Sequence, residues 1–144
     1  MRSRRVSRSV AVPLLVLAAM AAAQQPDGDG ELVGLWEFTY PGSGCVETMD
    51  FHADGNFEGR GGEEIYGGTW VLNPDASVAG RRRVDLEISH DNAMPDCQNY
   101  AWNDTGMSRS LYVVFPTGES LDFYEYGDGG QPLVTFVRST TTED

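Results

Sequence analysis

His90, Met94, Cys97 and Met107 stand close together in the chain and offer an imidazole, a thiol and two thioethers. Such soft donors would suit Cu(I). Their spacing matches no defined metal site, and a disulfide would take Cys97 out of the set, so no metal and no other cofactor is expected. Ser108 and Ser110 lie near His90 as an imaginable nucleophile and base, but no strained strand-to-helix elbow presents either serine. The chain has 22 acids, so a pair of carboxylates across a cleft arises by chance and says nothing about hydrolysis. Asp27, Asp29 and Asp128 lie in glycine-rich segments but lack the ordered ladder of a calcium loop. Lysine is absent throughout, which removes the phosphate-binding P-loop and every Schiff-base mechanism. The expectation is a protein that is not an enzyme.

Binding chemistry is better represented. Tyr40, Tyr66, Tyr100, Trp102 and Tyr126 are aromatics with polar tips, suited to orienting a small apolar or planar ligand. Their convergence depends on the elements that carry them. From Leu32 onward apolar and polar residues alternate with the period of strands, most clearly at Val84, Leu86 and Ile88 against Asp85, Glu87 and Ser89. The pattern predicts eight strands at about 32–40, 45–52, 56–61, 66–72, 82–90, 109–115, 119–126 and 132–138, with a short extra one around 98–102. Asp54-Gly55 predicts a type I′ hairpin turn, which needs positive φ at both central residues. No segment has the spacing and caps of a helix. Consecutive short strands joined by hairpins predict an all-β fold, an antiparallel up-and-down eight-stranded barrel that leaves no exposed edge. A two-sheet sandwich would show much the same pattern.

Counting strands alternately up and down assigns each loop to one end. The connections at 41–44, 62–65, 91–108 and 127–131 fall at the upper end. Those at 54–55, 73–81 and 116–118 fall at the lower end, with both termini. The five aromatics gather at the upper end. His90 joins them, because it continues the apolar face of Val84, Leu86 and Ile88 and is expected to point inward at the mouth. His52 falls at the lower end as a solvated turn residue. Cys45 and Cys97 also fall at the upper end, although the strand count made no use of them. A bridge between them would pin the long 91–108 loop across the mouth. Eight-stranded barrels are either filled by side chains or just hollow enough for a ligand, and the sequence suits both.

The start of the chain bears on compartment. Arg2, Arg4, Arg5 and Arg8 precede an apolar run from Val10 to Ala23, with small residues at Ala21 and Ala23. This reads as a secretory signal over 1–23, removed on export. It is followed by a flexible leader at 24–31, a barrel domain at 32–139 and a disordered tail at 140–144. The apolar run is short for a membrane span, so no membrane insertion is expected after the signal is removed. The expected location is the periplasm or the medium, where disulfides form. Four of the ten arginines lie in the signal and none of the acids, leaving six arginines against 22 acids. Such a surface repels nucleic acid and anionic lipid.

Gly34-Leu35-Trp36 opens the first strand, the Asp54-Gly55 hairpin follows, Gly68-Thr69-Trp70 lies in the fourth strand, and Arg138 stands in the last. Together these residues resemble the lipocalin and calycin group of small barrels. The layout is similar to small lipocalin-like proteins exported to bacterial envelopes. The resemblance implies that Trp36 packs at the closed lower end under Arg138. The expectation is therefore a non-catalytic binding protein for a small, partly apolar ligand. Tyr40, Tyr66, His90, Tyr100, Trp102 and Tyr126 would form its site, and Cys45 and Cys97 its staple. The other class considered is a protein-interaction module, such as an inhibitor of a secreted enzyme, that presents the 91–108 loop.

Overall fold

A computed structural model describes residues 29–140. The expected signal, most of the leader and residues 141–144 of the tail lie outside it. A short helical turn, α1 (Asp29–Leu32), leads into eight strands: β1 (Gly34–Thr39), β2 (Val46–Phe51), β3 (Asn56–Gly61), β4 (Glu64–Val78), β5 (Arg81–Asp91), β6 (Ser108–Thr117), β7 (Ser120–Tyr124) and β8 (Val134–Arg138). Each strand pairs antiparallel with the next, and β8 returns to β1, so the sheet closes into a barrel. This is the all-β, eight-stranded architecture that the alternation predicted.

Closure follows from the inward residues. Trp36, Phe51, Phe57, Trp70, Val84, Val113, Leu121, Phe123 and Phe136 are buried, one or two from each strand. The aromatics fill the lower half by edge-to-face and tilted packing. Phe51 stands edge-on to Trp70 with centroids 5.7 Å apart, and Phe123 edge-on to Phe136 at the same distance. Large rings in such contacts supply most of the apolar area that a small domain can bury.

The lower end is sealed from both chain ends. The Arg138 guanidinium lies 4.2 Å from the Trp36 ring centre and donates to the carbonyls of Val33 and Glu31, both at 3.0 Å. Trp36 Nε1 donates to the Leu32 carbonyl at 2.8 Å, and Leu32 is fully buried. Glu31 of the expected leader thus takes part in the cap. Gly34 has φ +126°, and a Cβ there would stand 2.7 Å from Arg138 Nη1. The Gly-x-Trp opening therefore makes room for the arginine.

Three local expectations are corrected. The β2–β3 hairpin is not type I′, because Gly55 takes positive φ (86°) and Asp54 does not. Gly55 N–H donates to the His52 carbonyl, and Asp54 Oδ1 accepts from Asn56 N–H, a three-residue loop ending in a left-handed glycine. The 73–81 loop is mostly strand: β4 continues to Val78 through an irregular register with β5. No strand forms at 98–102. Asp96 there accepts the amides of Gln98 and Tyr100, both at 2.8 Å, and Asn99 is left-handed (φ 69°), which coils the segment into a turn.

Candidate functional site

The upper half of the barrel is hollow. A cavity of about 430 Å³ opens there, a size that holds a small organic molecule. Its lower lining is the top of the core: Met49, Leu86, Phe123 and Phe136. Tyr66, Ile88 and Leu111 also line it, and Tyr40, Tyr100, Trp102 and Leu133 stand nearer its mouth. The Tyr66 ring lies across Gly59 of β3, its register partner, where a Cβ would come within 2.2 Å of the ring. Only glycine at 59 lets the ring occupy that place. Protein surrounds the ring on nearly all sides, yet it stays partly accessible because it faces the cavity.

The long loop after β5 reaches over this opening and is fixed in several places. Cys45 and Cys97 form a disulfide with Cα atoms 5.6 Å apart. The Pro95 carbonyl accepts from Glu63 and Glu64 N–H at 2.9 and 3.1 Å. Asn92 bonds to Ile65 N–H and to the Glu63 carbonyl at 3.0 and 2.9 Å. The loop is thus stitched to the β3–β4 turn. It sets Gln98, Tyr100 and Trp102 on the rim, where Trp102 is 65% exposed and Tyr100 54%. A disulfide fits an oxidising compartment, and no helix among the described residues is long and apolar enough to cross a membrane.

Four of the six residues expected at the mouth line this cavity: Tyr40, Tyr66, Tyr100 and Trp102. His90 and Tyr126 do not. The register between β4 and β5 slips between Gly67 and Gly68, because Gly67 pairs with His90 while Gly68 pairs with Ile88. Ser89 is the extra residue of this bulge, and one extra residue reverses the facing of everything beyond it. The His90 imidazole consequently lies outside, over Gly67, and Asp91 lines the cavity instead. Tyr126 is drawn away by Arg81. That guanidinium stacks on Tyr124 at 3.6 Å and donates to the carbonyls of Tyr126 and Gly129 at 2.8 and 2.7 Å. The 125–130 segment therefore folds over the outer wall, where Tyr126 is 63% exposed. Cys97 is oxidised, so the soft donor set of His90, Met94, Cys97 and Met107 loses its thiol. His52 is exposed beside Asp50, its Nε2 3.6 Å from Oδ2.

The lining has a second character that the aromatics did not announce. Glu47, Glu64, Asp91, Asp96 and Asp104 all border the cavity, against one cation, Arg109, which is paired with Asp104. Tyr40 donates to Glu47 Oε2 at 2.9 Å. Burial, then this bond to a carboxylate, pushes the Tyr40 phenol up to about 12. Burial also raises the Glu47 carboxyl, against the stabilising bond from Tyr40, and raises the Tyr66 phenol. Burial and then the charges of Asp91, Asp96, Glu47 and Asp104 push the Glu64 carboxyl up to about 7. One of these acids, Glu47, lay within the expected alternation, while Glu64 lay in the expected 62–65 connection and joins β4 only in the structure. Glu47 shares its face of β2 with Met49 and Phe51, and Glu64 shares its face of β4 with Tyr66 and Trp70.

The chain shows no significant match to any protein-family model, curated protein or solved structure. The reading of the site therefore rests on the geometry.

Proposed function

We propose that this chain is an exported, lipocalin-like, non-catalytic binding protein that holds a small, partly apolar ligand at the barrel mouth, in the periplasm or the medium. The observation that supports this most is the contrast between the two ends of one barrel. The lower half is packed solid and capped by Trp36 and Arg138, while the upper half encloses a 430 Å³ space lined with aromatic side chains. A fold that needed only stability would fill both halves, since open space forfeits contact energy. The disulfide and the Pro95 and Asn92 hydrogen bonds hold the rim in place before any ligand arrives, which lowers the ordering cost of binding.

Mass spectrometry of the protein taken from its native source tests this. A small adduct present under native conditions and lost on denaturation is the expected result. A clean native mass, together with failure of any small molecule to protect the cavity side chains, would overturn it. The loop favours a second reading, a protein-interaction module. Met94, Tyr100, Trp102 and Met107 expose 42%, 54%, 65% and 47% of their surface on one disulfide-pinned segment. Exposed aromatics on a rigid loop are suited to anchoring a protein partner. That reading predicts loss of partner capture on Trp102→Ala with the cavity untouched.

A further inference from the structure

We propose that the ligand of this cavity is an organic cation, an ammonium head on an apolar or aromatic body, with Glu64 as its counter-charge. The inference rests on the binding reading above and names its ligand class.

It begins with which acids are already engaged. Glu47 is held by the Tyr40 hydroxyl. Asp91 accepts the amides of Ala93 and Asp104 at 2.7 and 3.0 Å. Asp96 accepts the amides of Gln98 and Tyr100. Asp104 holds Arg109, the single cation of the lining. These four shape the rim. The Glu64 carboxylate has neither hydrogen bond nor ion pair among the described residues, yet it borders the cavity in the field of the other four. An unpaired carboxylate beside four more is an unfavourable charge unless it takes a proton or meets a cation. Burial first, and then those four charges, push its carboxyl up to about 7.

The side chains around it fit the second remedy. The Tyr66 hydroxyl, two residues along the same face of β4, also lacks a partner among the described residues. No buried polar side-chain atom of the described residues is left unsatisfied, so that hydroxyl opens onto the cavity. Aromatic faces attract ammonium groups through their quadrupoles, and Tyr40, Tyr66, Tyr100 and Trp102 offer four rings around the acids. A carboxylate or phosphate ligand would meet a lining with more acids than its one arginine offsets. A neutral one could offer Glu64 a hydrogen bond but no counter-charge.

Three probes of one shape decide the matter, titrated by calorimetry at pH 8. They are benzyltrimethylammonium, its neutral carbon isostere neopentylbenzene, and 3-phenylpropionate. The cation is expected to bind about tenfold more tightly than the isostere, the anion not measurably. Glu64→Gln is expected to narrow the cation's advantage. At pH 7 the cation, which has no proton to give, is expected to release protons from the protein. Heats that differ between phosphate and Tris buffers report that release, and Glu64→Gln should abolish it. Equal binding of cation and isostere, or tighter binding of the anion, would overturn the cation assignment while leaving a ligand-binding barrel. Failure of all three probes would overturn the assignment, and a clean native mass would then remove the binding reading with it. The probe comparison uses the unmodified protein, so a variant that fails to fold does not weaken it.

Discussion

At the scale of single residues, Trp36 and Trp102 have opposite duties. Trp36 is fully buried, hydrogen-bonded to Leu32 and covered by Arg138. Trp36→Ala should cost about 3–5 kcal/mol of stability, as large-to-small changes of buried aromatics do. Chemical denaturation measures it. Trp102 is mostly exposed at the rim. Trp102→Ala should leave the denaturation midpoint nearly unchanged while weakening ligand binding, and similar effects from both changes would contradict a two-ended barrel. Glu64 predicts a pH effect. Its carboxyl sits higher in the fold than the ordinary 4.5, so the native state holds a proton that the unfolded chain has released. The stability this contributes is full below about 4.5 and is lost as pH climbs through about 7. Melting temperature should fall over that window, and Glu64→Gln should lessen the fall. The alternation showed which positions of β2 face inward, so Glu47 was legible there, whereas Glu64 fell in the expected 62–65 connection that the structure makes part of β4.

At the scale of elements, strands and their order were readable because alternation and hairpin signals agreed at nearly every step. The exceptions have separate physical causes. The bulge at Ser89 needs only one residue and has no glycine of its own, so alternation along β5 runs straight through it to His90. Deleting Ser89 should restore regular pairing with His90 still opposite Gly67 and Asp91 still opposite Tyr66, so Asp91 should stay at the cavity wall and cation selectivity should survive. A probe titration on the refolded variant measures this. Tyr126 was misplaced because Arg81, 45 positions away, holds the segment that carries it, and no local pattern encodes such a tie. The staple was legible from strand count alone. A bridge that closes a 52-residue span restricts the unfolded chain by about 4 kcal/mol on the chain-entropy account. Cys45→Ser with Cys97→Ser should lower stability by an amount of that order. It should also speed amide exchange at Glu63 and Glu64, whose N–H groups bond to the Pro95 carbonyl of the tethered loop.

At the scale of the whole molecule, charge and architecture work together. A closed barrel hides every strand edge, and a surface of many acids keeps copies apart. Division into a solid half and a hollow half was not legible, because the same inward alternation serves both. Ring size on the lower strands and glycine at 59 under Tyr66 decide which half is filled. Closure itself rests on a short seam. β1 meets β8 over Trp36 with Arg138 and Glu37 with Val137, against six register pairs between β1 and β2. The seam joins the first strand made to the last. During vectorial synthesis β1 must wait with one edge unpaired until Arg138 has emerged. A chain that stops short of β8 therefore keeps β1 open, and the barrel gains its closed form only when all eight strands are present.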